Sequence, residues 1–263
     1  MIKKRTILAL MGAALMAACG GGNRYTISGT IEDDAMAACL EGKTVYLGYS
    51  WLHYDREDTI DSTVIENGRF SFRGVVDTPF IAYLDCSDSV CPFPAMYEDF
   101  VVEPGDIELR TKGREDVFRG GTPLNKKLHE AEMWGKKTYD SLLKNPDDSL
   151  LQAYIRGRAL AASDTAGGGS WFGSLRYYVG EDAIEHEYKL QNQFSEAVAE
   201  YATKLYYENK GNPLGLYAIR GICWGNARRV WYDTVYADSL LRVLDPAPAE
   251  RALFEEWRSA FLP

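Results

Sequence analysis

Two domains of opposite class are predicted: an N-terminal antiparallel β-sandwich over residues 25–121, then a C-terminal α-helical domain over residues 122–263. The chain is therefore expected to be multidomain, all-β plus all-α. Three observations carry this expectation. Apolar residues alternate with a period of two from Tyr25 to about Gly121. The pair Asn67-Gly68 sits between two such runs, where it supplies the positive φ angles of a two-residue turn. After Gly121 the apolar period lengthens to that of a helix.

The strands follow in order. "YTISGTI" places Tyr25, Ile27, Gly29 and Ile31 on one face, and "KTVYLGY" does the same with Val45, Leu47 and Tyr49. "DSTVIENGRFSFRG" reads as a hairpin turning at Asn67-Gly68. "FIAYLDC" is a further strand, and "DFVVEPGDIELR" reads as a second hairpin turning at Glu103-Pro104-Gly105-Asp106. A last short strand is expected near Val117. About six to eight short strands at this spacing imply a sandwich.

The helical half opens at "TPLNKKLHEAEMWGKK", with Thr122 as N-cap and Pro123 at the first helical position. Leu124, Leu128, Ala131, Trp134 and Leu142 fall at helical spacing. "DDSLLQAYIRGRALAAS" predicts a second helix, and Glu181 to Asn209 predicts a long one lined by Ile184, Phe194, Val198, Tyr201 and Leu205. Asn212-Pro213 starts another, and "DTVYADSLLRVL" and "PAERALFEEWRSAFL" complete the series.

The first 24 residues read differently. Lys3-Lys4-Arg5 is a positive start, Ile7 to Ala18 is an uncharged and mostly apolar run, and Ala17-Ala18 precede Cys19. Twelve residues at 1.5 Å rise cover about 18 Å, short of a ~30 Å hydrocarbon core. A cleaved export signal over residues 1–18 is therefore expected rather than a spanning helix. Leu15-Met16-Ala17-Ala18-Cys19 resembles a bacterial lipobox, with Met16 where Leu is usual. The resemblance implies that Cys19 becomes the first residue and carries acyl chains. Each buried methylene contributes ~0.8 kcal/mol, so more than one chain gives stable anchoring. Residues 19–24 then form a flexible tether. The expected location is the cell envelope, on a lipid anchor facing the periplasm.

The 263 residues carry a formal charge of −9, and loss of Lys3, Lys4 and Arg5 leaves 26 basic against 38 acidic residues, a charge of −12. Such a balance repels phosphate backbones and argues against a nucleic-acid partner. An exported chain meets an oxidising compartment. Besides Cys19 there remain Cys39, Cys86, Cys91 and Cys223. The spacing of "CSDSVC" fits a local disulfide between Cys86 and Cys91, worth roughly 2 kcal/mol, and fits two thiols at strand ends equally well. No C-x-x-C occurs.

The search for chemistry assigns no catalytic residue, no metal site and no cofactor. His53, His129 and His186 do not stand in a metal-ligand spacing, and the latter two are expected on helix surfaces. Glu32, Asp33, Asp34, Asp55, Glu57, Asp58 and Asp61 are too many to single out a pair. "GGGSWFG" lacks the residues of a phosphate loop or a nucleophile elbow and reads as a connector. "SWFGSLRYY" gathers Trp171, Phe172, Tyr177 and Tyr178. This segment reads first as a loop folded back on the helical core, and alternatively as a hydrophobic or carbohydrate contact patch.

Taken together, "YTISGTI", "GKTVYLGY", "DTIDSTVIENGRFSFRG", "FVVEPGDIELR" and "GGTPLNKKL" resemble, in order and spacing, the domain of unknown function 4369 (DUF4369) of Bacteroidota lipoproteins, from residue 25 to about 128. In that family the domain usually precedes a helical linker, which "ENKGNPLGLYAI" resembles, and then a thioredoxin-like domain of the TlpA/ResA type. The present sequence ends at Pro263, before the W-C-x-x-C of such relatives, so no catalytic residue is carried over. The resemblance implies a non-enzymatic interaction or docking module, bound to the membrane through Cys19 and to an envelope protein partner, beside a periplasmic thiol–disulfide system. Two alternatives stand: a truncated thiol–disulfide oxidoreductase lacking its thioredoxin-like domain, and an envelope glycan- or lipid-binding module.

Overall fold

The computed structural model describes residues 22–50, 59–86, 99–113, 116–165, 176–225, 234–248, 250–252 and 254–255. The chain divides into two compact units, 1–126 and 127–263, and the boundary falls in the first turns of a helix.

The first unit is a β-sandwich. Its strands are β1 (Arg24–Ile31), β2 (Thr44–Tyr49), β3 (Thr59–Val64), β4 (Arg69–Val75), β5 (Phe80–Asp85), β6 (Phe100–Val102), β7 (Gly105–Thr111) and β8 (Val117–Gly120). They form two four-stranded sheets, in the orders β4-β1-β7-β8 and β3-β2-β5-β6. One core lies between them. Ile27, Phe70, Phe72, Ile107 and Leu109 enter it from the first sheet, and Val45, Leu47, Leu84, Phe100 and Val102 from the second. The alternation expected in β1 holds, with Tyr25, Ile27, Gly29 and Ile31 all turned inward. In β2 a register shift between Leu47 and Gly48 interrupts the alternation, so Tyr49 is only half-buried.

Two glycines of this unit are there for aromatic rings. Gly29 pairs with Phe70 across β1 and β4, and a Cβ at Gly29 would lie inside the Phe70 ring. Gly74 pairs with Tyr25 in the same ladder, and a Cβ there would strike the Tyr25 phenol. Each aromatic side chain lies over a bare stretch of backbone, which pins the register of the two strands.

Three sequence expectations need correction. The sandwich is not wholly antiparallel: β1 and β7 pair in parallel. Both expected hairpins are crossings between sheets. Asn67 and Gly68 do adopt φ of 53° and 65°, as a type I′ turn requires. Yet beyond the single bridge Glu66–Arg69 the strands separate, β3 to one sheet and β4 to the other. At Glu103-Pro104 the chain likewise leaves β6 in one sheet and enters β7 in the other. The side chain of Glu103 turns inward there and accepts from the backbone N–H of Leu124 and Asn125, at 2.8 and 3.2 Å. It thereby caps the helix expected to be capped by Thr122; the Thr122 hydroxyl instead accepts from the Asn125 amide. Asn125 also donates to the carbonyl of Val101 and accepts from its N–H, so its buried side chain pairs with β6 as a neighbouring strand would.

A helix the sequence reading passed over, α1 (Asp34–Leu40), follows β1. Asp33 caps it by accepting from the Met36 N–H at 2.7 Å. Met36 and Leu40 enter the sandwich core. The Glu41 carboxylate beyond its end accepts from the N–H groups of Asn67 and Gly68, so α1 also fastens the type I′ turn.

The second unit is helical. Its elements are α2 (Pro123–Leu143), which starts in the first unit, α3 (Ser149–Thr165), α4 (Glu181–Asn209), α5 (Pro213–Gly225) and α6 (Thr234–Leu244). Leu143, Leu151, Leu190 and Phe194 form a core shared by α2, α3 and α4. α4 and α5 form an antiparallel hairpin closed by a buried carboxylate. Glu250 accepts from the Gly211 N–H, the Ala247 N–H and the Tyr206 hydroxyl, at 2.8, 2.9 and 3.0 Å. Burial, followed by the bond to Glu250, pushes the Tyr206 phenol far above its ordinary pKa, so it remains a donor at any working pH.

Candidate functional site

A cleft of about 450 Å³ opens among α2, α4 and α5, within the helical unit. Its origin is the size of the residues that face each other. α2 contributes Ala131 and Gly135, one turn apart; α4 contributes Ala202; α5 contributes Ala218 and Gly221. α4 and α5 meet closely, since a Cβ on Gly221 would lie 3.0 Å from that of Ala202. A Cβ on Gly135, by contrast, would meet nothing within 4 Å. Here glycine leaves open space rather than relieving a contact.

Aromatic side chains wall this space. Trp134 of α2 and Tyr201 of α4 stack face to face, with ring centres 4.0 Å apart and planes 9° from parallel. The pair props α2 against α4 beside the gap left by the small residues. Tyr217 of α5 forms another part of the wall. Its hydroxyl donates to Glu132 at 3.4 Å, and the Arg220 guanidinium lies 4.4 Å from its ring centre. Lys136, exposed at the rim, adds a second cation.

This chemistry suits binding. Among the described residues the lining is mainly apolar, with Glu132, Lys136 and Arg220 as its charged side chains, and no Ser, Cys or His. Burial raises the Tyr201 phenol above its usual pKa, and Glu130 and Glu208 raise it further, so it stays neutral. The volume lies in the range of small-molecule sites, which combine apolar walls with a few orienting polar groups. Among the described residues no group of His, Cys, Asp or Glu is placed to hold a metal, and no helix is long and apolar enough to cross a membrane.

The residues singled out from the sequence are not brought together here. Cys19, Cys91, Trp171 and Phe172 lie outside the described residues. Tyr177 is 83% exposed and meets Tyr178 edge to face at 5.0 Å. The backbone of Tyr178 packs on α3, where Gly157 leaves room for it. Cys86 is a buried thiol of the sandwich core, not half of a disulfide with Cys91. The end of β5 turns it inward, where cysteine packs as a small apolar residue. Cys39 is disulfide-bonded. His186 is not simply a surface residue: its Nε2 lies 2.6 Å from Asp148 Oδ2.

Trp134 and Tyr201 were legible in the sequence only as members of apolar helix faces. A signal for the cleft was nonetheless present in the glycines inside two helical patterns, Gly135 and Gly221.

The architecture is thus a β-sandwich followed by a helical unit that carries an aromatic cleft. Residues 25–128, which span the sandwich and the start of α2, match the family model described as Domain of unknown function (DUF4369). No curated protein and no solved structure matches the chain.

Proposed function

We propose that this chain is a non-catalytic binding module of the cell envelope, anchored by lipid on Cys19, whose helical unit receives an apolar ligand or partner group in the cleft of α2, α4 and α5. The observation that carries this reading is the cleft: about 450 Å³ of mainly apolar space beside the Trp134–Tyr201 stack. Its lining favours a lipid over a glycan. A buried sugar hydroxyl left without a partner costs roughly 1–3 kcal/mol, and this wall supplies few partners. The lipobox-like leader supports the anchor. The disulfide at Cys39 fits an oxidising compartment on the far side of the inner membrane. The likeness of "ENKGNPLGLYAI" to the linker of TlpA/ResA-type relatives supports work beside a thiol–disulfide system.

The test uses the full chain carrying Cys19→Ser, purified without detergent, and the neutral dye Nile red. The dye should bind, and Gly135→Leu should abolish binding by filling the cleft. Absence of binding, or indifference to the substitution, would refute the site. For the anchor, mass spectrometry of the native membrane-fraction protein should find acylated Cys19; an unmodified Cys19 refutes it. Insulin reduction should show no activity, and activity would refute the non-catalytic reading.

A further inference from the structure

Two polar groups of the cleft walls have no partner. Trp134 and Tyr201 both line the cleft and both are half-buried. Among the described residues, neither the Tyr201 hydroxyl nor the Trp134 indole N–H makes a hydrogen bond. Tyrosine and tryptophan that turn inward usually find a partner for these atoms. The indole N–H can only donate. Burial first, then Glu130 and Glu208, hold the proton on Tyr201, so its hydroxyl is available as a donor at neutral pH. A ligand that expelled water and left such a donor unpaired would lose roughly 1–3 kcal/mol. The charged groups disfavour an ionised ligand. Glu132 accepts from Tyr217, Arg220 lies on the Tyr217 ring, Lys136 is engaged within the protein, and Glu130 and Glu208 act on Tyr201. Both signs are thus mixed around the cleft, and neither dominates to compensate a charge as it leaves water.

We infer that the cleft binds an uncharged acyl ester, its chain along the apolar walls and its carbonyl oxygen accepting a hydrogen bond from the Tyr201 hydroxyl, with the Trp134 N–H as a second donor. This deepens the proposed function and rests on it. An ester carbonyl offers two lone pairs and no proton, which matches walls that supply donors. An alcohol would bring a donor of its own, and a hydrocarbon would leave both donors unpaired.

The experiment titrates the full chain carrying Cys19→Ser with diphenylhexatriene, a fluorescent hydrocarbon with no polar atom. Methyl oleate, 1-octadecene and oleate then compete. Diphenylhexatriene should bind, and methyl oleate should displace it more strongly than oleate does. Tyr201→Phe keeps the stacked ring and removes the hydroxyl. It should weaken methyl oleate roughly fivefold, the loss of one neutral hydrogen bond, and leave octadecene and diphenylhexatriene unchanged. Gly135→Leu should abolish binding of every probe. Circular dichroism checks the fold of each variant. A second measurement needs no variant: the infrared carbonyl band of bound methyl oleate, labelled with carbon-13 at the carbonyl, should lie at the lower frequency of a hydrogen-bonded ester. If that band keeps its free frequency, or if Tyr201→Phe weakens methyl oleate no more than octadecene, the carbonyl contact is refuted and the cleft survives. If oleate competes best, the uncharged head is refuted and the cleft survives. If neither diphenylhexatriene nor Nile red binds, the cleft falls, and the proposed function with it.

Discussion

In the sandwich, the residues that face each other are large. Ile27, Val45, Leu47, Phe72 and Phe100 meet between the sheets and are fully or almost fully buried. In the helical unit, the faces that α2, α4 and α5 turn to the cleft mix the small residues Ala131, Gly135, Ala202, Ala218 and Gly221 with Val198, Leu205 and aromatic rings. Two sheets about 10 Å apart have one way to pack: the inward side chains of both must fill the gap. Helices have more freedom. Small residues let α4 and α5 approach closely at one crossing, while the Trp134–Tyr201 stack holds α2 off at another. The same chain therefore contains a closed core built for stability and an open one with room for a ligand.

The sharpest way to break this contrast is to empty the closed core. Phe72→Ala should destabilise by about 3–5 kcal/mol, through lost transfer energy and the cavity left behind, as measured by urea denaturation followed in the β signal. A loss under about 1 kcal/mol would mean that the sandwich is not tightly filled. The helical hairpin should depend instead on a polar anchor. Glu250→Ala strands the Gly211 and Ala247 N–H groups and the Tyr206 hydroxyl, and should cost about 3 kcal/mol. Glu250→Gln should cost less, because one acceptor oxygen remains.

Adding volume gives the most direct comparison. Ala82 is fully buried in the sandwich, and Ala82→Leu should overpack it at a cost of about 1–3 kcal/mol. Gly135→Leu has the opposite sign expected: Leu is the better helix former by about 1 kcal/mol and meets nothing at Cβ. Thermal melts of the two variants should move in opposite directions. Melts that move together would remove the distinction between the filled core and the open one.

The smallest effect is a pH dependence at the junction of α3 and α4. Asp148 accepts from His186 and from the Leu151 N–H, and those bonds, that of His186 first, hold its carboxyl below the ordinary value of 3.8. A depressed folded-state pKa means that the stabilisation is complete above the unfolded value and disappears as pH falls through the folded one. The stability difference between the protein and its Asp148→Asn variant should therefore be constant near neutrality and shrink in acid. A difference that grows in acid would reverse the assignment.

Much of the fold could be read from local pattern. The alternation in β1, the positive φ angles at Asn67-Gly68 and the span of α4 all follow from neighbours in sequence. α1 could have been read as well, since Asp33 stands as an N-cap before Asp34-Ala-Met-Ala-Ala. It was missed because the surrounding strands set the expectation. The site was less legible. An apolar helix face looks the same in sequence whether it fills a core or walls a cleft, so Trp134 and Tyr201 read as packing residues.

By itself, then, the sequence determined the two classes of structure and their order, and the inward face of most strands. Only the tertiary structure decided that both apparent hairpins cross between sheets, that β1 and β7 run parallel, that Cys86 is a core thiol, and that α2 stands off from α4. The physical reason is the range of the interactions. Periodicity and turn chemistry act over a few residues and fix local geometry. Strand partners and the gap between helices depend on residues far apart in the chain, here Glu103 with Leu124 and Trp134 with Tyr201.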